Sequence, residues 1–226
     1  MKKYSITLLI IAICFSLQGQ TYKDKTIYTP NGTAITALKL VSGDYSASDK
    51  KYLKNYWLNY YSNRIVFIGE ATRSYNCHAY AWHVSEGGIK VWINTPNDDK
   101  YWNDGSYTSA SSSDGSKVSF ASDDHSAITT SQSGYFQSKW GSSPLFKHAI
   151  NDCPYSSSKL NYYKKTCLTK TIQNVNYTTS QTVTECKINL KNITISNNSN
   201  LVFDVEQTIN ITGTFNAQLG TTLEIK

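Results

Sequence analysis

The sequence predicts an α+β domain, a cysteine-bearing helix packed on a small antiparallel sheet, followed by a small all-β module. Three observations predict it. After Ser48-Asp49, Tyr52, Leu53, Tyr56, Trp57 and Tyr60 recur at three- and four-residue intervals, the period of a helix. From Lys117 to Trp140, short β-rich runs alternate with turns at Asp123-Asp124 and at residues 131–134. From about residue 168, charge and aromatics thin out, and β-rich runs recur roughly every ten residues between Asn, Ser and Gly turns.

The elements follow in order. Met1-Lys2-Lys3 and the apolar run from Ile6 to Phe15 read as a secretory leader occupying residues 1–20. The run is shorter than the roughly 20 apolar residues a membrane span needs, so no transmembrane segment is expected once the leader is removed. A secreted or envelope-associated bacterial protein is the expectation, with domains at 21–167 and 168–226. Residues 21–44 carry Pro30, Asn31-Gly32 and Gly43-Asp44 and read as a turn-rich lead-in. The aromatic stripe of residues 52–60 is expected to face the core. Ile65-Val66-Phe67-Ile68, closed by Gly69, reads as a strand, and Asn76 as the N-cap of a helix that starts at Cys77. Gly87-Gly88 breaks that helix. The polar region from there to about Lys117 reads as an irregular insertion on the rim of a cleft. Trp92 and Trp102 from it, with Trp140, are expected to wall that cleft. If the turn at 131–134 holds an even number of residues, His125 pairs with Trp140, and His125, Ala127, Ser138 and Trp140 share one face. Residues 141–167 close the first domain. The tail fits a small sandwich or a stack of solenoid rungs.

Composition narrows the class. Aromatic residues make up 13 % of the chain and tyrosine occurs 17 times, enough for a core without long aliphatic helices. The net charge is +6 but the lysines are scattered. That favours weak attraction to anionic surfaces such as an envelope and argues against nucleic acid as a partner. Past the leader the cysteines are Cys77, Cys153, Cys167 and Cys186. An exported chain can form disulfides; Cys153 with Cys167 closes the shortest loop and is the expected bridge if Cys77 stays free.

Cys77 carries the chemistry. A thiol in the first turn of a helix feels the positive end of its dipole, which favours the attacking thiolate. The plainer reading is a small buried hydrophobe. A nucleophilic thiol needs a base and a group that orients that base. His78 shares the helix with Cys77, and i+1 neighbours do not face each other. His125, on a later strand, can be brought opposite the helix start. Asn76-Cys77-His78-Ala79-Tyr80-Ala81 followed by Asp124-His125-Ser126-Ala127 resembles the cysteine and histidine motifs of NlpC/P60 and CHAP-type peptidases and amidases, over residues 45–155. The resemblance implies a papain-like fold with Cys77 as nucleophile and His125 as base. It puts a third group near Gln137 or Ser138, and Ser138 is the candidate. Backbone N–H groups at Cys77, aided by the Tyr75 hydroxyl, would hold the oxyanion. No cofactor is implied, and without CxxC or HxxxH spacing no metal is expected. The expected partner is an amide bond in a peptide or protein, cell-wall peptides among the candidates. A thiol-dependent deamidase or transglutaminase-like toxin would use the same dyad. A non-catalytic envelope-binding or adhesive protein would bury the thiol. The tail from Phe215 to Ile225 is similar to short β-rich repeats of bacterial surface and secreted proteins, which implies attachment or display.

Overall fold

The computed structural model describes residues 19–226; the expected leader, save its last two residues, lies outside the described residues. The chain divides between Lys164 and Lys165 into two compact units.

In the first unit, β1 (Thr21–Tyr28) and β2 (Ala34–Ser42) form an antiparallel hairpin, so the expected lead-in is a paired ribbon. Its turn holds Gly32 at φ +86°, and Ile27, Ile35 and Ala37 are its buried side. Next come α1 (Ala47–Tyr60), β3 (Val66–Gly69), α2 (Cys77–Trp82), a 3₁₀ turn at Val84–Glu86 and α3 (Lys100–Asn103). The strands β4 (Tyr107–Ala110), β5 (Lys117–Phe120), β6 (His125–Thr129), β7 (Tyr135–Lys139), β8 (Leu145–Ala149) and β9 (Leu160–Lys165) complete it. The seven strands β3 to β9 form one sheet in the order β3-β8-β7-β6-β5-β9-β4.

This corrects the papain-like α+β expectation of a helix on a small sheet. Among the described residues strands account for 47 % and helices for 13 %, and the sheets are large. Two stretches of the segment expected to close the first domain, 145–149 and 160–165, are strands inside the sheet. The face of α1 is also corrected. Ser46, two residues before the expected start, caps it in a reciprocal box with Asp49, and no residue of the helix is buried. Tyr52, Tyr56 and Tyr60 are 67, 46 and 64 % exposed and stack on one another at 6.4 and 6.2 Å. The inward side is that of Trp57, edge-on to Trp140, and of Lys54, whose ammonium lies over the Phe67 ring.

Strand alternation gives the sheet two faces. The register joins Ile128 to Gln137 and Thr129 to Phe136, the even-turn alternative. One face packs Val118, Phe120, Ala127, Phe136, Trp140 and Phe146 with the side of α1 that carries Trp57. The other receives α2: Ser126 accepts from the Trp82 indole (3.0 Å) and Gln137 from the Tyr80 hydroxyl (2.9 Å). Trp82 anchors that side in a ring cluster with Tyr101, Trp102, Tyr107 and Tyr163.

The second unit contains β10 (Thr169–Tyr177), β11 (Gln181–Ile195), β12 (Asn200–Ala217) and β13 (Thr222–Ile225), in that order and all parallel. Thr169 pairs with Lys187, Lys187 with Thr208 and Asn200 with Thr222, so successive turns of chain stack as rungs. Ile188, Leu190, Ile193, Ile195, Leu201 and Phe203 fill the interior. A corner recurs at Asn174, Asn192 and Gly213, all with positive φ. The Asn192 amide donates to Asn174 Oδ1 (3.0 Å). A Cβ on Gly213 would sit 2.3 Å from Asn192 Oδ1, so glycine is required there. The expected bridge is corrected as well: Cys167 is bonded to Cys186, and Cys153 is a free, buried thiol whose pKa burial raises. The chain around Cys167 runs alongside β11, so its spatial neighbour is the cysteine of the next rung. Among the described residues no helix is long and apolar enough to cross a membrane.

Candidate thiol–imidazole site

Asn76 fixes the start of α2. Its Oδ1 accepts from the N–H groups of Ala79 and Ile93, each at 3.2 Å, and its Nδ2 donates to the Ile93 carbonyl at 2.7 Å. One buried amide thus caps the helix and ties it to the segment carrying Trp92. Cys77 follows as the first helical residue, a free thiol, 6 % exposed. It lines an open pocket of about 260 Å³ with His78, Trp92, Thr95, Asp124 and Tyr155.

The imidazole that shares the pocket with this sulfur is that of His78, close enough for the two to interact electrostatically. His78 Nδ1 lies 2.9 Å from Asp98 Oδ2 and 2.9 Å from Ser126 Oγ; Nε2 is 3.6 Å from Asp124 Oδ1. Burial, the largest single influence, opposes a charge on this ring. The charge of Cys77, together with Asp98, outweighs burial and lifts the pKa to about 11. Adjacent helical side chains ordinarily diverge. Here Asp98 and Ser126 hold the ring in place beside the sulfur.

The structure does not join Cys77 to His125. Ser126 points to α2, and by alternation His125 points to the opposite face with Ala127, Ser138 and Trp140. The His125 ring is 1 % exposed, lies flat on Tyr155 at 3.6 Å, and neither nitrogen has a hydrogen-bond partner. Burial holds its pKa well below the usual value. Ser138 serves a different histidine. It accepts from the Trp140 indole (2.9 Å) and meets His148 Nε2 at 2.8 Å. The other expected third group, Gln137, is taken by Tyr80. Tyr75 is not at the pocket either: its buried ring lies under the Lys139 and Lys90 ammonium groups at 5.2 and 5.5 Å. Of the expected cleft walls, Trp92 lines the pocket, whereas Trp102 stacks on Tyr163 and Trp140 packs against Phe146 in the core.

Three residues that sequence reasoning passed over shape this site: His78, Asp98 and Lys139. Lys139 is wholly buried, and its ammonium donates to the carbonyls of Thr72 (3.1 Å), Gly141 (2.9 Å) and Ser143. Burial pulls its pKa down to about 7, against the charges of Cys77 and Asp44. The one signal in the chain was Asn97-Asp98-Asp99, acidic groups in a tryptophan-bearing loop; nothing local tied them to His78. His78, Asp98 and Asp124 also place one potential metal-ligand atom each within 4.8 Å of one another. No family model, no curated protein and no solved structure matches the chain.

Proposed function

We propose that the protein is a thiol-dependent enzyme that attacks amide bonds, with Cys77 as nucleophile, His78 as its proton partner and Asp98 as the group that orients His78. The observation that carries this reading is that Cys77 and His78 line one open pocket, with a buried carboxylate 2.9 Å from the imidazole. A thiol beside a charged imidazole reacts as the thiolate. The Cys77 sulfur adds to the amide carbonyl carbon; the C–N bond then breaks as the amine leaves with the proton from His78. A thioester remains. His78, now neutral, takes a proton from the incoming water or acceptor amine, whose attack breaks the C–S bond and returns the thiolate and the charged ring. The start of the chain, basic at Lys2 and Lys3 and then apolar, supports export, and the Cys167–Cys186 bridge is compatible with it. Amide bonds of peptides at a bacterial envelope are therefore the substrates to try first.

The test is the rate of alkylation by iodoacetamide at pH 7, mapped by mass to each free cysteine. Cys77 is expected to react about tenfold or more faster than Cys153, which is buried away from any imidazole hydrogen bond. His78→Asn is expected to slow Cys77 by about the same factor, and His125→Ala to leave it within about threefold. An inert Cys77, or a rate that depends on His125 and not on His78, overturns the assignment.

A further inference from the structure

The pocket beside Cys77 has one acidic side chain in its lining, Asp124, on a chain whose net charge is +6. Asp124 stands in the turn between β5 and β6 with φ +44°, a left-handed conformation that aspartate tolerates. Its side chain is 68 % exposed, and its Oδ1 accepts from the Thr95 hydroxyl at 2.6 Å. That bond aims a solvent-facing carboxylate across the pocket from one loop to another. Asp98 lies beneath, 3 % exposed, with Oδ1 unpartnered, and Asp99 is close enough that Asp98 and Asp124, after burial, raise its pKa. The positive groups that reach Cys77 already have partners: the His78 ring has Asp98 at 2.9 Å and, more distantly at 3.6 Å, Asp124, and the Lys139 ammonium has three carbonyls. No lysine or arginine among the described residues lines the pocket, and two aromatic residues, Trp92 and Tyr155, do.

From this we infer that Asp124 is a specificity determinant: it selects substrates that carry an ammonium or guanidinium side chain next to the bond Cys77 attacks. The inference rests on the thiol chemistry proposed above and adds the substrate class. A fixed carboxylate on the wall of a pocket draws a cation and repels an anion, and such fields change encounter rates by about tenfold or more at low salt.

The experiment uses two methanethiosulfonates of similar size, one ending in trimethylammonium and one in sulfonate, on the full chain at low ionic strength. In each, the thiolate attacks the reagent's sulfenyl sulfur, a disulfide forms and methanesulfinate leaves. Rates at Cys77, mapped by mass and divided by each reagent's rate with free 2-mercaptoethanol, give a cation-to-anion ratio. The ratio is expected to be about ten or more, to shrink in high salt, and to fall to within about threefold of unity in Asp124→Asn, which keeps the turn and the Thr95 bond. A ratio near unity with Cys77 still reactive, or one that Asp124→Asn leaves unchanged, overturns the inference and spares the thiol reading. A Cys77 inert to both reagents ends both.

Discussion

His148, fully buried on the sheet face opposite α2, shows how a single residue can set a pH limit. Its Nδ1–H donates to the Ala149 carbonyl at 2.9 Å, so Nε2 is the acceptor for the Ser138 hydroxyl, which in turn accepts from the Trp140 indole. A second proton would turn that acceptor into a donor. Burial pushes the pKa down to about 4, against the Ala149 bond, and burial holds that of His125 well below its usual value too. The unfolded chain takes up these protons near pH 6.5 and the folded chain resists them. Stability is therefore full above pH 6.5 and falls as the pH drops toward 4, by about 3 kcal/mol for His148 alone. Near pH 7 His78 and Lys139 pull in opposite directions, His78 because its unfolded ring is then losing its proton and Lys139 because its folded ammonium is; below about pH 5.5 both are charged in both states and add no slope. Urea midpoints read by tryptophan fluorescence from pH 7 to 4 should decline in the wild type and decline less in His148→Gln. Parallel curves would show that the limb has another source.

At the scale of elements, α1 separates what its residues say from what they leave open. The three- and four-residue spacing and the serine–aspartate cap specify a helix, and a helix forms. Its orientation is not specified, because tyrosine is content at a wet surface and a lysine stem can cover an aromatic ring, as Lys54 does. The replacement of Tyr52, Tyr56 and Tyr60 together by serine should cost less than about 1 kcal/mol, whereas Trp57→Ala, which empties a partly buried site against Trp140, should cost about 2–3 kcal/mol. Guanidinium unfolding of the two variants checks the order; a larger loss in the tyrosine variant would mean that face is covered. The β6–β7 register was legible only up to the parity of its turn: side chains alternate, an even turn leaves one pairing, and the structure has the even turn. β4, β8 and β9 were not, since strands of mixed polarity acquire their partners from distant chain. The same limit hid the site. Asn76 and Cys77 could be placed on a helix start from local sequence, but the meeting of His78 with Asp98 depends on where a loop twenty residues on comes to rest. His125 was misdirected by its motif, because the residue beside it, Ser126, is the one that faces α2.

For the molecule as a whole, each unit has its own interior and its own reporter. All five tryptophans precede Lys164, so indole fluorescence follows the first unit, while the Cys167–Cys186 bridge lies in the second. That bridge closes a separation of 19 residues, and its loss should remove about 3 kcal/mol from the unit that contains it. Reduction, or Cys186→Ser, is expected to lower the far-UV melting transition of the β-rich unit and leave the tryptophan transition in place. A shared shift would show that the two interiors melt as one. The all-parallel stack carries a further consequence. Its rungs take 18, 21 and 22 residues each, measured from Thr169, Lys187 and Asn200 to their partners, and each touches only the rung before and after. Such a unit has a length that is counted rather than designed: splicing in one more turn of chain extends it by the spacing between adjacent strands, about 4.8 Å, and asks nothing new of the turns already there.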